Sequence, residues 1–115
     1  MPFKVRKSTT YKWPVSVDVP VDGGRFSRET FEVEFRNDIE QSTLKDFADG
    51  LTDGTMSEQE VARRVIVSLD GFIDEEGEPI PYSNSLLDEI LEVPMVAAQI
   101  CQGYVDSKAG AKRKN

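Results

Sequence analysis

The acidic stretch from Asp70 to Glu78 is the only cluster in the sequence whose residue types suggest metal binding. A calcium loop of the EF-hand type places oxygen ligands at positions 1, 3 and 5, glycine at position 6 and glutamate at position 12. Counted from Asp70, positions 3, 6 and 12 are Phe72, Glu75 and Pro81, so the spacing does not fit. The stretch therefore predicts a solvated acidic turn.

Asp74 and Glu78 in the same stretch could in principle form an acid–base pair. Such a pair needs two environments that move the two pKa values apart. A turn open to water surrounds both carboxylates alike, so the sequence predicts no catalytic pair here.

Cys101 is the only cysteine, and the chain contains no histidine. Catalysis by Ser–His or Cys–His pairs and the usual zinc sites are therefore excluded. Cys101 is predicted to be a small apolar residue on a helix, and a single cysteine without an internal disulfide fits a reducing cytoplasm. Taken together, these side chains predict a protein that is not an enzyme and has no cofactor and no metal.

The charges fall into three zones that the net charge of −7 conceals. Residues 1–12 and 108–115 each carry four basic residues and no acidic ones, whereas residues 13–107 carry all 21 acids and six bases, a net charge of −15. An acidic body of this kind repels nucleic acid and favours protein partners. Nucleic-acid binding is therefore not expected.

The length of 115 residues predicts a single domain with one modest core. No apolar run approaches the roughly 20 residues that span a bilayer, and no apolar stretch follows the basic start as it would in a signal peptide. We expect one domain over residues 1–115, with flexible basic ends at 1–10 and 111–115 and no membrane segment.

Two runs of alternating apolar and polar residues, 13–21 and 31–35, predict strands with one buried face. Asp22-Gly23-Gly24 between them supplies residues that tolerate positive φ, which is typical of a hairpin turn. Pro14 and Pro20 cannot donate to a sheet ladder, so the first strand is predicted to lie at an edge or to be bulged.

Apolar residues recur at helical spacing in four later segments. The first helix carries Leu44 and Phe47 and ends at Asp53-Gly54. A capping box, Ser57 to Glu60, begins the second, whose apolar positions are Val61, Ala62, Val65, Ile66 and Leu69.

The third helix is predicted to begin at Ser83 or Ser85, and the fourth at Pro94. The fold class is therefore predicted to be α+β, with an N-terminal antiparallel β-hairpin packed on a small bundle of about four helices.

The last two helices supply candidates for a partner-binding surface, with core packing as the alternative for each: Leu87, Leu91, Val96 and Ile100. A bare strand edge and a small core also predict self-association into a homo-oligomer.

The second half of the chain resembles a known family. Its residues are Val65-Ile-Val-Ser-Leu-Asp-Gly-Phe-Ile-Asp-Glu-Glu-Gly-Glu-Pro-Ile-Pro-Tyr-Ser83, then Leu86-Leu-Asp-Glu-Ile-Leu91, Val93-Pro-Met-Val96 and the basic Lys-Arg-Lys-Asn115. This pattern is similar to the tail assembly chaperones of long, non-contractile-tailed, lambda-like bacteriophages and prophages. The resemblance covers residues 60–115 best, and it departs at Leu69, where relatives often have tryptophan.

The resemblance implies a binding protein without catalytic residues. Members of this family bind the tape measure protein, keep it soluble and help to recruit tail tube subunits in the host cytoplasm. They are absent from the mature virion, and many also have a longer form made by ribosomal frameshifting. The alternative is a small structural tail or head–tail joining protein that stays in the virion.

Overall fold

The computed structural model describes Pro2 and residues 9–109, and over these residues the chain forms one three-stranded antiparallel sheet and four helices. The α+β prediction, with its N-terminal hairpin and four helices, is confirmed. The elements are β1 (Thr10–Val21), β2 (Arg25–Arg36), α1 (Gln41–Asp53), α2 (Glu58–Val65), β3 (Ile66–Asp70), α3 (Asn84–Glu92) and α4 (Val96–Ala109).

The predicted flexible ends lie outside the described residues, except for Pro2, Thr9 and Thr10. Thr10 is the first residue of β1, so the strand begins within the segment that was predicted to be a flexible arm.

The hairpin turns at the predicted Asp22-Gly23-Gly24, and its second strand begins earlier than the predicted residue 31, at Arg25. Val21 pairs with Arg25 around the turn and Thr10 pairs with Arg36 at the far end. Gly23 and Gly24 have φ of 89° and 73°, a backbone conformation that would be strained in a residue with a side chain. The inward face of the hairpin is apolar and buried, and it consists of Val15, Val17, Phe31, Val33 and Phe35.

β1 is an edge strand, as its prolines predicted, because the strand order is β1-β2-β3. Pro14 pairs with Glu32 and Pro20 with Phe26. In an antiparallel ladder, both residues of a hydrogen-bonded pair donate an N–H group. Proline has no N–H group, so Pro14 and Pro20 must occupy non-hydrogen-bonded pairs. The backbone nitrogens at such positions of β1 point away from β2. The two prolines cost no ladder bond, and they remove two donors from the free edge.

The second helix was predicted to run to Leu69, and this prediction was wrong. α2 ends at Val65, and β3 follows at once as the third strand, with Ser68 paired to Glu34. The β-branched Ile66 and Val67 favour extended backbone, and β2 offers an unpaired edge to receive them.

A bulge in β3 explains why its spacing resembled that of a helix. Residues three apart in a regular strand face opposite sides of a sheet. The register shifts between Glu34 and Phe35, so that Phe35 pairs with Ile66 and Val67 is the extra residue. Ile66 and Leu69 are therefore both buried. They lie three residues apart, which is also the spacing of residues on one face of a helix.

Both helix-capping predictions hold. The Ser57 hydroxyl accepts from the Glu60 N–H at 3.1 Å, and the Glu60 carboxylate accepts from the Ser57 N–H at 3.1 Å. For α3 the cap is Ser83, whose hydroxyl accepts from the Leu86 N–H at 3.1 Å. The first helix ends at Asp53-Gly54, as predicted, and Gly54 adopts the left-handed conformation.

Pro94 does not begin α4, contrary to the prediction. A residue before proline is driven out of the helical region, and Val93 is accordingly extended and ends α3. Pro94 then lies in a turn, and Met95 has φ of 73°, which is unusual for a non-glycine residue. The Met95 carbonyl accepts the first α4 bond, from the Gln99 N–H at 3.0 Å.

The hydrophobic core lies between the inward face of the sheet and the helices, with α4 packed across β1. Gly103 permits this close approach, because a Cβ at that position would lie 3.0 Å from the Val15 Cγ2. The most deeply buried large side chains of the core are Phe35, Ile100, Val33 and Val65. No charged side chain among the described residues is buried.

Candidate partner-binding surface

The four residues proposed from sequence as partner-binding candidates are all buried, with exposed fractions of 7% for Leu87, 2% for Leu91, 6% for Val96 and 0% for Ile100. They belong to the single core cluster. The structure therefore assigns them to core packing, the alternative that their spacing left open. In this conformation they present almost no surface to a partner.

The acidic stretch folds into a small closed loop. Ile73 pairs with Pro79, and the Ile80 N–H donates to the Phe72 carbonyl at 2.8 Å. At the tip, the Asp74 N–H donates to the Glu78 carbonyl at 2.9 Å. These backbone hydrogen bonds define a short hairpin over residues 72–80.

Asp74 organises the tip of the loop through its carboxylate. The Asp74 Oδ1 accepts from the N–H groups of Glu76 and Glu78, each at 2.9 Å. Gly77 has φ of 83° at the turn. The described residues contain no group of three or more Asp, Glu, Cys or His side chains arranged to hold a metal ion. Asp74 thus has a local structural role.

An apolar depression of about 590 Å³ lies between this loop and α3. Ile73 is 65% exposed and Val93 is 46% exposed, although both are large apolar residues. We call this surface the acidic groove, and it is lined by Phe72, Ile73, Ile80, Leu86, Ile90 and Val93, with Asp88, Glu89 and Glu92 at its side.

The surroundings of the acidic groove are strongly negative. Residues 70–92 contain eight acids and no base. Arg63 of α2 reaches Asp88, with Nη2 to Oδ1 at 2.7 Å, and Gln59 Nε2 donates to Glu92 Oε2 at 3.3 Å. The Arg63–Asp88 pair is solvent-exposed, so it neutralises one charge and contributes little to stability. The groove combines an apolar floor with three carboxylates at its side, one of which is paired with a base.

A second apolar surface lies between α1 and α4, with a volume of about 220 Å³. Leu51 is 39% exposed and Val105 is 58% exposed on it. The Tyr104 hydroxyl close by is buried and has no hydrogen-bond partner among the described residues. Burial raises the pKa of Tyr104 to about 12, so its hydroxyl stays neutral at physiological pH.

Lys108 closes one end of this second surface. Its Nζ lies 5.0 Å from the Tyr11 ring centroid and 5.4 Å from that of Tyr104, and it donates to the Asn37 Oδ1 at 2.9 Å. Burial lowers the pKa of Lys108 and raises that of Tyr11. These contacts hold the end of α4 against the sheet.

Cys101 lies on the same side of α4 and is partly buried, as its sequence context predicted. Its Sγ–H donates to the Glu58 carbonyl oxygen at 3.4 Å. Burial, and secondarily the Glu58 charge, raises the pKa of the thiol to about 11. The thiol is thus protonated at neutral pH, which is the opposite of an activated nucleophile.

Sequence reasoning missed the exposed apolar residues of the acidic groove. Ile73, Ile80 and Val93 fall in or beside proline- and acid-rich turns, where no helical or strand period marks them. A usable signal was present, because large aliphatic residues in a solvated acidic loop are themselves unusual.

Comparison of the chain with protein-family models, with curated proteins and with solved structures found no match. Among the described residues, none of the helices has both the length and the apolar character needed to cross a membrane.

Proposed function

We propose that this chain is a tail assembly chaperone of a long-tailed bacteriophage or prophage. It binds the tape measure protein, keeps it soluble and helps to recruit tail tube subunits. The support is the sequence pattern of residues 60–115 together with one structural observation: an acidic protein that holds large apolar side chains in solvent, above all at the acidic groove.

Exposed apolar surface of this kind suits a protein that holds an insoluble client. Burying apolar area contributes roughly 25 cal/mol per Å², before the ordering of both partners is subtracted. Exposed ion pairs contribute at most about 1 kcal/mol each and weaken in salt. The affinity for the client therefore comes mainly from apolar burial, while the net charge keeps the protein and its complex in solution.

The proposed role needs no chemical step, and it places the protein in the host cytoplasm during assembly. Asp74, one of the acidic residues considered for chemistry, closes a turn, and Asp88 of α3 forms an ion pair with Arg63. The exposed loop keeps its carboxylates in water, where they contribute to solubility.

Co-expression with the tape measure protein of the same phage genome tests the proposal. We expect the soluble fraction of the tape measure protein to rise when this chain is present, and not with an unrelated acidic protein of similar size. The complex should persist at about 1 M NaCl, where the Debye length is about 3 Å. A tape measure protein that stays equally insoluble with and without the chain would contradict the function.

Mass spectrometry of purified virions separates the chaperone from the alternative structural role. A chaperone leaves the particle, so its peptides are expected to be absent while those of the tape measure protein are present. Peptides of this chain at a stoichiometry comparable to that of known tail components would assign it to the virion as a tail or head–tail joining protein.

A further inference from the structure

We propose that the acidic groove binds an amphipathic helix of a partner protein, with an apolar stripe flanked by Lys and Arg. The identity of the partner as the tape measure protein rests on the proposed function, whereas the chemistry of the partner helix is inferred from the groove alone. It is carried by three features of the groove: its direction, its charge and its fixed loop.

The wall of the groove runs along a helix. Leu86 and Ile90 lie four residues apart on one face of α3, and Val93, which is extended directly after the helix, also lines the groove. Side chains of a second helix fit beside such a face, with anchors at i, i+3 or i+4, and i+7. Ile73 and Ile80 form the opposite wall, on the short hairpin. The groove therefore has the form that receives a helix.

Charge selects which helix fits. Asp88, Glu89 and Glu92 line the groove, and the chain from residue 70 to residue 92 contains eight acids and no base. Among the described residues, Arg63 forms an ion pair with one of these carboxylates, that of Asp88. An acidic or neutral helix would bring like charges together or leave the carboxylates partly desolvated and unpaired. Lys and Arg beside an apolar stripe would meet these carboxylates instead. The charges thus govern selectivity and the rate of association, while the apolar floor governs affinity.

The loop wall is already in place before a partner arrives. The paired residues Ile73 and Pro79, and the two N–H groups bound by the Asp74 carboxylate, fix the position of Ile73. A preformed wall lowers the entropic cost of binding. Hydrogen bonds thus hold the backbone on both sides of Ile73, whose side chain is 65% exposed.

Two synthetic peptides of about 18 residues, long enough to become helical when bound, serve as probes. Both carry leucine at i, i+3, i+4 and i+7; one has lysine at the flanking positions and the other glutamate. Titration of the isotope-labelled full chain, followed by NMR, is expected to shift the amides of residues 72–93 with the lysine peptide. The glutamate peptide should bind at least about tenfold more weakly.

Ile73→Asp is the test variant, and Phe26→Asp is its matched control. Phe26 is 67% exposed near the hairpin turn and does not line the groove, so both changes place a carboxylate at an exposed apolar position. Ile73→Asp is expected to weaken lysine-peptide binding at least about tenfold, and Phe26→Asp to change it less than about twofold. A third variant, Ile73→Ala, adds no charge and should lie between the parent and Ile73→Asp.

The inference would be overturned by equal binding of both peptides, by amide shifts centred on the α1–α4 surface, or by unchanged binding of the lysine peptide to Ile73→Asp. Saturation of the groove by a second copy of the chain, seen as concentration-dependent shifts of residues 72–93 without peptide, would also overturn it.

Failure of the groove and failure of the function are distinguishable. If the chain keeps the tape measure protein soluble and Ile73→Asp does so equally well, the function stands and the groove is wrong. If the lysine peptide binds the groove but the tape measure protein is not kept soluble, the groove stands and the function is wrong.

Discussion

Cys101 illustrates how position on a helix determines the chemistry of a side chain. Burial against α2 and the nearby Glu58 carboxylate both oppose formation of the thiolate, which is why the pKa rises to about 11. In the unfolded chain the same thiol has its ordinary pKa near 9.

We therefore expect alkylation of Cys101 by iodoacetamide at pH 8 to be much slower in the folded protein than in the urea-unfolded chain. Because the folded pKa is raised, the stabilisation from the buried thiol is complete below pH 9 and is lost as the pH rises towards 11. Thiolate absorbance during a pH titration measures this directly. A midpoint near 9 in the folded state would contradict the burial that the structure shows.

Met95 is a residue whose backbone conformation conflicts with its type. It is 63% exposed and adopts φ of 73° between α3 and α4. We expect Met95→Gly to raise the free energy of unfolding by about 0.5–1 kcal/mol, because glycine adopts this conformation without strain. Met95→Ala, which keeps the Cβ, is the control and should give no gain. Equal effects of glycine and alanine in urea unfolding would show that the backbone conformation is not the cause.

Leu91 and Val93 are close in sequence and opposite in environment. Leu91 is 2% exposed and Val93 is 46% exposed. Leu91→Ala is expected to lower the free energy of unfolding by about 2–5 kcal/mol, since it removes buried methyl groups and leaves a cavity. Val93→Ala should lower it by less than about 1 kcal/mol. Chemical denaturation of both variants checks the difference, and similar losses would contradict the assignment of Val93 to an open surface.

At the residue scale, the sequence identified apolar positions, but it did not show whether each is covered by the core or is open to a partner. Leu87, Leu91, Val96 and Ile100 have the spacing of both a core face and a docking face. Only the packing of α3 and α4 against the sheet decides between these, and that packing depends on residues distant in sequence. Ile73 and Val93 are the opposite case. They are exposed apolar residues, but they lie in turns, where no helical or strand periodicity marks them.

At the scale of elements, signals that act within a few residues were sufficient to predict the starts of α2 and α3, the hairpin turn and the edge strand. The Ser57–Glu60 capping box, the Ser83 cap, the glycine turn of the hairpin and the edge position of β1 all follow from short-range chemistry. β3 could not be predicted in this way. Its strand character depends on the open edge of β2, and its bulge gives Ile66 and Leu69 a helix-like spacing.

The prolines of β1 lead to a prediction about its free edge. Pro14 and Pro20 remove the N–H groups that would otherwise point outwards from the sheet. We expect the double change Pro14→Thr and Pro20→Thr to increase self-association, because it restores two donors without altering the buried face. Ser16→Thr, at the same side of the strand with its N–H already present, is the control.

Sedimentation velocity over a range of concentrations measures this effect. A double variant that associates no more than the Ser16→Thr control would show that the edge is protected by something other than the prolines. Self-association of the parent chain itself stays a prediction, and the same experiment tests it: a species that remains strictly monomeric at high concentration would contradict it.

At the scale of the whole molecule, the net charge of −15 over residues 13–107 should affect stability. Like charges at the surface repel one another, and the described chain has only three close ion pairs, all exposed, to offset this. We expect the free energy of unfolding to rise modestly between low salt and about 0.3 M NaCl, where charges more than a few ångströms apart are screened.

Urea unfolding at the two salt concentrations checks this expectation. Sulfate salts would confound it, since they strengthen apolar burial directly. A stability that falls as NaCl rises would mean that attractive pairs outweigh the repulsion.

The order of strands in the sheet also bears on how quickly the protein reaches its native state. β1 and β2 are neighbours in sequence, and their hairpin can close on a timescale of about 1–10 μs. β3 reaches β2 only after the chain has passed through α1 and α2, so its pairing must first overcome the loss of entropy in a long loop. Until β3 docks, the inner edge of β2 is open, and the apolar face of the hairpin stays uncovered until the helices pack on it. The early hairpin is thus the species most exposed to pairing with other nascent chains, and β3 is the element whose late arrival ends that exposure.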